Sequence, residues 1–225
     1  MDESRRAIRV DEQRTVSSVW TVPDGWAEGD RRAVILAHGA GNDMDSPFMQ
    51  TVHDGLAARG LLAVRFNFPY KERGAKAPDR APILEATWRA VAAAVREDPL
   101  APAKVVLAGK SMGGRIASHL AAEGEPCDGL LFLGYPLHPA GKPEKLRAEH
   151  LEQIACPMCF IQGSRDRLCR LDLLQKELER LPAPVMLHVV DDGDHSFQVP
   201  KRIGRSNEEV LDEVIATAGG WIESL

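Results

Sequence analysis

The chain alternates short apolar runs with segments in which apolar residues recur at helical spacing, and this alternation is the strongest constraint on its fold. The apolar runs occupy residues 33–39, 61–68, 104–109, 129–135, 157–163 and 184–190. The helical patterns lie at 47–59, 82–97, 112–123, 170–181 and 207–223. Short runs that are apolar on both faces are typical of parallel strands covered by helices on both sides. The pattern therefore predicts an α/β fold with a doubly wound, mostly parallel sheet and right-handed crossovers.

The domain organisation follows from the length and the evenness of the sequence. We find no internal repeat, low-complexity tract or linker, so residues 1–225 are expected to form a single domain. Within residues 1–30, the alternating stretch "RTVSSVWTVP" predicts one or two antiparallel strands at an edge of the sheet.

Charge and cysteine usage limit the classes of function. The formal net charge is -5 and no long basic block is present, so we expect no nucleic-acid partner. No apolar run reaches the roughly 18 residues of a membrane span, and the charged N-terminus has no apolar signal region, so we expect a cytoplasmic protein. The "CPMC" of residues 156–159 lies on a predicted strand, where an offset of three places the two cysteines on opposite faces. We therefore expect no metal site.

The stretch "LAGKSMGGR", residues 107–115, follows a predicted strand and begins a predicted helix. This is the arrangement of a nucleophile elbow, in which a strained serine is presented above the sheet. The residues two before and two after the serine crowd each other, which favours glycine at Gly109 and Gly113. Free N–H groups at the start of the helix also favour a negative charge beside the serine. Ser111 is the candidate nucleophile, whereas Lys110 has no role that the sequence defines.

A serine hydroxyl needs a base that is oriented by a carboxylate. His195, in "DDGDHSF" after the last predicted strand, is the candidate base, and Asp166, in "QGSRD", is the candidate acid. His138 is the other loop histidine. His53, His119 and His150 lie on helical segments, where a solvated face explains them, while His188 lies inside a predicted strand and His38, before Gly39, is expected to be structural. Asp191 and Asp192 remain possible substitutes for the acid. The order Ser111, Asp166, His195 is the order of an α/β-hydrolase triad.

An acyl-transfer site also needs two preorganised N–H donors for the oxyanion. Met112, directly after the serine, is expected to supply one backbone N–H. The loop "AHGAGND" after the first parallel strand is expected to supply the other, from Ala40 or, as second choice, from Gly41.

The motifs "AHGAG", "GKSMGGR", "QGSRD" and "GDHSF", in this order, resemble the α/β-hydrolase superfamily. More narrowly, "GKSMGGR" with "GYPLHPAGKPEKLRAEHL" resembles the compact group related to testis-expressed protein 30 and the third KAT8 regulatory NSL subunit. The chain is similar, more distantly, to dienelactone hydrolases, although that group uses cysteine as nucleophile where this chain has Ser111. Residues 137–156 leave room for only one short helix, which predicts a site without a lid. Candidate wall residues are Gly41, Met44, Tyr70, Met112, Tyr135, His138, Leu168 and Phe197.

The sequence thus predicts a serine hydrolase that cleaves a small-molecule carboxylic ester or thioester without a cofactor. Peptide hydrolysis, perhydrolysis and a non-catalytic interaction module on the same fold remain alternatives. The charge run Lys71, Glu72 and Arg73 either binds an anionic group or is a solvated face. The sequence defines neither a protein partner nor the acyl group.

Overall fold

A computed structural model describes residues 1–225 except Gly29 and the side chain of Glu28. In these residues, an eight-stranded sheet has the order β1-β2-β4-β3-β5-β6-β7-β8. The strands are β1 Asp2–Arg9, β2 Thr15–Val22, β3 Arg32–Ala37, β4 Leu62–Phe66, β5 Lys104–Lys110, β6 Gly129–Leu133, β7 Met158–Gly163 and β8 Val185–Val190. The α-helices are α1 Pro47–Ala58, α2 Pro69–Glu72, α3 Ala81–Arg96, α4 Met112–Ala122, α5 Leu171–Leu178 and α6 Asn207–Glu223.

The sheet is parallel from β4 to β8, and β1 and β2 run antiparallel at one edge. Helices cover both of its faces. On one face, α1 and α6 bury side chains against the sheet, among them Met49, Leu56, Val214 and Ile222. On the other face, α3, α4 and α5 do the same, among them Trp88, Ile116, Leu120 and Leu174. The doubly wound, mostly parallel α/β fold predicted from the sequence is therefore confirmed.

The edge strand β1 has the charged sequence "DESRRAIR", in which Ile8 alone is buried. The tight turn after it is closed by the Asp11 carboxylate, which accepts hydrogen bonds from the backbone N–H groups of Gln13 and Arg14. A highly charged edge strand discourages pairing with a second sheet. The hairpin therefore both extends and terminates the sheet.

The segment 137–156 contains the 3-10 helix Glu149–Gln153 and no longer helix among its residues, all of which are described. The expectation that no helical lid is inserted there is confirmed. None of the described helices has the length and apolar character needed to cross a lipid bilayer.

Candidate active site

The turn between β5 and α4 forces Ser111 into a conformation with φ 51° and ψ −113°, which is strained for a residue with a side chain. Close backbone contacts maintain it. A Cβ on Gly109 would overlap the backbone of Gly113 and Gly114, and a Cβ on Gly113 would overlap Ala37 of β3. The spacing of glycines around the serine is thus a steric requirement of the elbow. The elbow places Ser111 at the carboxyl ends of the parallel strands, directly before the first turn of α4.

Three side chains from separate loops meet at this point. The Ser111 Oγ lies 2.8 Å from His195 Nε2, and His195 Nδ1 lies 2.6 Å from Asp166 Oδ2. Because the buried carboxylate accepts a hydrogen, Nδ1 carries the proton and Nε2 accepts the hydrogen bond of the serine hydroxyl. The structure therefore brings together the three residues that the sequence nominated, in an arrangement suited to proton transfer from serine to histidine.

The Asp166 side chain is fully buried, and its two oxygens accept hydrogen bonds from neighbours as well as from His195. Gln162 Nε2 donates to Oδ2 at 2.5 Å, and the backbone N–H of Leu168 donates to Oδ1 at 2.7 Å. The Gln162 Oε1 also accepts from the backbone N–H of Tyr135, which fixes the amide. The sequence analysis missed Gln162, although it is the one uncharged polar side chain in the otherwise apolar β7.

The neighbouring acids of the histidine loop have other functions. Asp194 Oδ1 accepts hydrogen bonds from the backbone N–H groups of Ser196 and Gln198, so this carboxylate closes the turn that carries His195. Asp192 adopts φ 56° and donates its backbone N–H to the Ser164 hydroxyl. The carboxylate that contacts His195 is that of Asp166.

The loop after β3 turns directly beside the elbow. The backbone N–H of Asn42 donates to the Gly39 carbonyl, and Gly41 has φ 83°, which favours glycine at this turn. A Cβ on Gly39 would lie 3.4 Å from the Ser111 Cβ. Ala40, the first candidate oxyanion donor, therefore follows a glycine that leaves no more than van der Waals room between this turn and the serine. The second candidate, Met112, is the first residue of α4, where backbone N–H groups have no partner within the helix.

His38 stabilises this turn through two hydrogen bonds. It is fully buried, its Nδ1 donates to the Gly39 carbonyl, and its Nε2 accepts the backbone N–H of Phe68. Burial lowers the pKa of His38 to about 4, so the ring is neutral at pH 7. The structural role expected for this histidine agrees with these contacts.

A cavity of about 410 Å³ opens next to the nucleophile elbow, between the start of α1, the start of α6 and the loop that follows His195. Gly39 and Lys110 line it, whereas Ser111 is not among its lining residues. Its wall combines apolar side chains with a glycine of the loop after β3 and one lysine. These residues include Gly39, Phe48, Met49, Lys110, Phe197 and Leu211. Phe48 and Phe197 stack with ring centroids 6.0 Å apart. The volume of this cavity lies within the range of small-molecule sites.

Of the candidate wall residues, Phe197 lines this cavity, and two others need correction. The Tyr135 side chain is 1% exposed and its hydroxyl donates to the Arg147 carbonyl, so it packs in the interior. His138 is also buried, and its Nε2 accepts the backbone N–H of Arg170. Both side chains are committed to structural contacts, and we remove them from the candidate substrate-binding residues.

The remaining candidates lie near the site without lining the cavity. In the loop after β3, Gly41 is exposed and Met44 is buried. Tyr70 packs edge-on against His38 in the interior, where burial raises the pKa of its phenol to about 12. Leu168 contributes its N–H to Asp166. These positions shape the loops around the site rather than its described cavity.

The charge run after β4 is satisfied by local contacts. Glu72 accepts hydrogen bonds from the backbone and hydroxyl of Ser17, and Arg73 pairs with Asp79 at 2.6 Å. The Lys71 Nζ lies 3.4 Å from the Gly41 carbonyl. These contacts favour a structural interpretation of the run over the binding of an anion.

Two histidines expected on solvated helix faces have packed environments instead. His53 is fully buried, with its Nε2 2.8 Å from the Thr21 hydroxyl, and burial lowers its pKa to about 3. His150 lies 2.7 Å from the Ser118 hydroxyl, and burial likewise lowers its pKa to about 3. Ser118 is fully buried, so this second serine–histidine contact is closed to a substrate.

The cysteines of "CPMC" do not pair with each other. Cys159 is buried in β7, whereas the Cys156 Sγ lies 2.7 Å from the Sγ of Cys127, which precedes β6. This pair lies at the amino ends of the parallel strands, whereas Ser111 lies at their carboxyl ends.

A doubly wound sheet with a strained serine after β5, a histidine after β8 and a buried aspartate after β7 defines the class of α/β hydrolases. The family model described as "Alpha/beta hydrolase domain" matches residues 30–223. The chain belongs to this family. The narrower resemblance to the testis-expressed protein 30 group is not tested by this match and stays a prediction.

Solved structures with the same fold cover nearly the whole chain. A dienelactone hydrolase from Anabaena variabilis is 21% identical, with a TM-score of 0.77 over 99% of this chain and 97% of that one. An α/β serine hydrolase homologue from Coxiella burnetii is 20% identical, with a TM-score of 0.75 over 96% and 95%. A lidless α/β serine hydrolase from Xanthomonas campestris is 21% identical, with a TM-score of 0.73 over 98% and 95%. At these identities the likeness concerns the fold.

Proposed function

We propose that this protein is a serine hydrolase that cleaves carboxylic esters or thioesters through an acyl-enzyme on Ser111. The observation that carries the proposal is the continuous chain of hydrogen bonds from Ser111 through His195 to Asp166, at 2.8 and 2.6 Å. Membership of the α/β-hydrolase family supports a hydrolytic reaction.

In the first half of the reaction, His195 Nε2 takes the hydroxyl proton while the Ser111 Oγ attacks the carbonyl carbon of the substrate. The backbone N–H groups of Ala40 and Met112 stabilise the oxyanion of the tetrahedral intermediate. His195 then gives the proton to the leaving alcohol or thiol, and the acyl group stays on Ser111. Asp166 keeps the proton on Nδ1 throughout and stabilises the imidazolium.

In the second half, His195 removes a proton from a water molecule, which attacks the acyl-enzyme. The intermediate collapses, Ser111 recovers its proton from His195, and a carboxylic acid leaves. Each group returns to its starting protonation state, so these steps use no metal or organic cofactor.

The cavity next to the nucleophile elbow favours a compact substrate. Phe48, Met49, Phe197 and Leu211 supply an apolar surface, which suits a short acyl or alkyl group. Because residues 137–156 form no helical lid over the site, a long apolar chain would leave much of its length in contact with water. We therefore expect short-chain esters or thioesters to be the better substrates.

The test is covalent labelling with a fluorophosphonate, followed by mapping of the adduct, together with turnover of p-nitrophenyl esters and acyl thioesters of increasing chain length. We expect the adduct on Ser111 and loss of both labelling and turnover in Ser111→Ala. Ser118→Ala is the matched control, since Ser118 also contacts a histidine but is buried. A folded wild-type protein that is neither labelled nor active would refute the proposal and favour a non-catalytic interaction module.

A further inference from the structure

Lys110 is a buried cation that the proposed reaction does not use. It is the last residue of β5, directly before Ser111, and it is 7% exposed. Its Nζ donates a hydrogen bond to the backbone carbonyl of His195 at 2.5 Å. Among the described residues, no carboxylate lies within ion-pair distance of this ammonium. Burying a charge against a single carbonyl costs free energy, so fold stability alone does not account for a lysine here.

Four elements surround this ammonium: the end of β5, the bend after β6, the loop after β8 and the start of α1. A Cβ on Gly134, in the bend, would lie 2.9 Å from the Lys110 Nζ and 3.1 Å from the His195 carbonyl oxygen. The aromatic rings of Phe48 and Phe197 lie 6.0 and 5.6 Å from Nζ. The bend leaves room for the lysine to reach His195, and the two rings flank the cation with their negative faces.

The lysine therefore links the two loops whose separation decides whether the serine and the histidine touch. Lys110 is covalently next to Ser111, and its ammonium holds the backbone of the residue whose Nε2 must stay 2.8 Å from the Ser111 Oγ. A shift of about 1 Å between reacting groups can cost on the order of a hundredfold in rate. A charge-assisted hydrogen bond is stronger than a neutral one and holds this distance more firmly.

We propose that Lys110 is a positioning residue that fixes the loop of His195 against the nucleophile elbow through its hydrogen bond to the His195 carbonyl. This inference rests on the proposed function, because it assigns the lysine to the serine–histidine pair of that reaction. In this role the ammonium transfers no proton and acts through the His195 backbone, although the Lys110 side chain also lines the cavity beside the elbow.

The experiment measures the second-order rate constant for fluorophosphonate modification of Ser111 in the full-length protein, which reports nucleophile activation without a known substrate. Lys110→Met keeps the length of the side chain but removes the donor, and Lys176→Met, at an exposed position of α5, is the matched control. Lys110→Ala is assayed with and without propylamine, and with propanol as a neutral analogue. Thermal unfolding is recorded for every variant.

We expect Lys110→Met to lower the labelling rate roughly ten- to hundredfold while the control labels at the wild-type rate. Propylamine, but not propanol, should restore a large part of the rate in Lys110→Ala, since only the ammonium replaces the charged donor. Wild-type labelling of Lys110→Met would overturn the inference. Slower labelling that follows a loss of folded protein, without amine rescue, would overturn it as well. Failure of the wild type to label at Ser111 would instead remove the proposed function on which the inference rests.

Discussion

Replacing Lys110 with methionine should change how the stability of the protein depends on pH. Burial lowers the pKa of Lys110 from 10.5 to about 8, against the opposing influence of the Asp166 and Asp194 carboxylates. Below pH 8 the folded protein therefore carries a proton that burial disfavours, at a cost of about 3 kcal/mol. Between pH 8 and 10.5 the folded state releases this proton while the unfolded state keeps it. The unfolded state then binds more protons, so the wild type gains stability as the pH rises.

The size of the effect follows from the two pKa values. The wild type should gain about 2 kcal/mol relative to Lys110→Met between pH 7 and pH 9.5. The pKa shift compares the charged with the neutral lysine, so the predicted quantity is the change with pH in the stability difference between the two proteins. Relative to Lys110→Met, the wild type should therefore be more stable at pH 9.5 than at pH 7.

Urea denaturation of both proteins at pH 7 and pH 9.5 measures this difference, because other groups that titrate in this range are common to both and cancel. Lys176→Met provides the control, since an exposed lysine should give the same difference from wild type at both pH values. If the difference between wild type and Lys110→Met does not change with pH, then Lys110 is not buried as an ammonium, and the reasoning is refuted.

Further predictions concern the acid, its support, the cavity and the cysteine pair. Asp166→Asn should lower kcat by about ten thousandfold with little change in KM, measured on a short-chain ester. Gln162→Leu removes a donor to a buried carboxylate, so it should lower the free energy of unfolding by about 1–3 kcal/mol, measured by urea denaturation, and reduce kcat. Leu211→Trp, which narrows the cavity, should lower kcat/KM more for hexanoyl than for acetyl esters. Oxidised glutathione should link Cys127 to Cys156, with a mass loss of two hydrogens and a raised Tm; an unchanged mass would contradict the close approach of the two sulfurs.

Most elements could be predicted from the sequence because each parallel strand is a short apolar run with a helical pattern beside it. The predicted run 104–109 and the observed strand Lys104–Lys110 differ by one residue, and the final helix was predicted at its observed bounds of 207–223. Strand β1 carried no such signal, because an edge strand faces water along most of its length and its charged sequence resembles a loop.

The three residues of the candidate triad could be predicted because a sheet of this topology places the carboxyl ends of its parallel strands on one side of the molecule. Few histidines and acids follow those strands in the sequence. The residues that line the cavity could not be predicted in this way, because they depend on the direction in which each side chain points. Tyr135 and His138 lie in the right loop, yet both side chains turn inward to bond the backbone. The position of a residue in a loop predicts which part of the molecule it lies near. Whether its side chain lines the cavity or packs in the interior depends on hydrogen bonds that form only in the folded chain.

The two supporting residues that sequence reasoning left unassigned share a property that the sequence does display. Lys110 and Gln162 are polar side chains at the carboxyl ends of strands β5 and β7, whose other residues there are apolar and buried. A polar group in such a position costs free energy unless it is hydrogen-bonded, so its partner is an essential part of its explanation. Here each partner belongs to the candidate triad: the Asp166 carboxylate for Gln162, and the His195 carbonyl for Lys110. A polar side chain within an otherwise apolar strand thus indicates a loop that must be held in place for Ser111, His195 and Asp166 to meet.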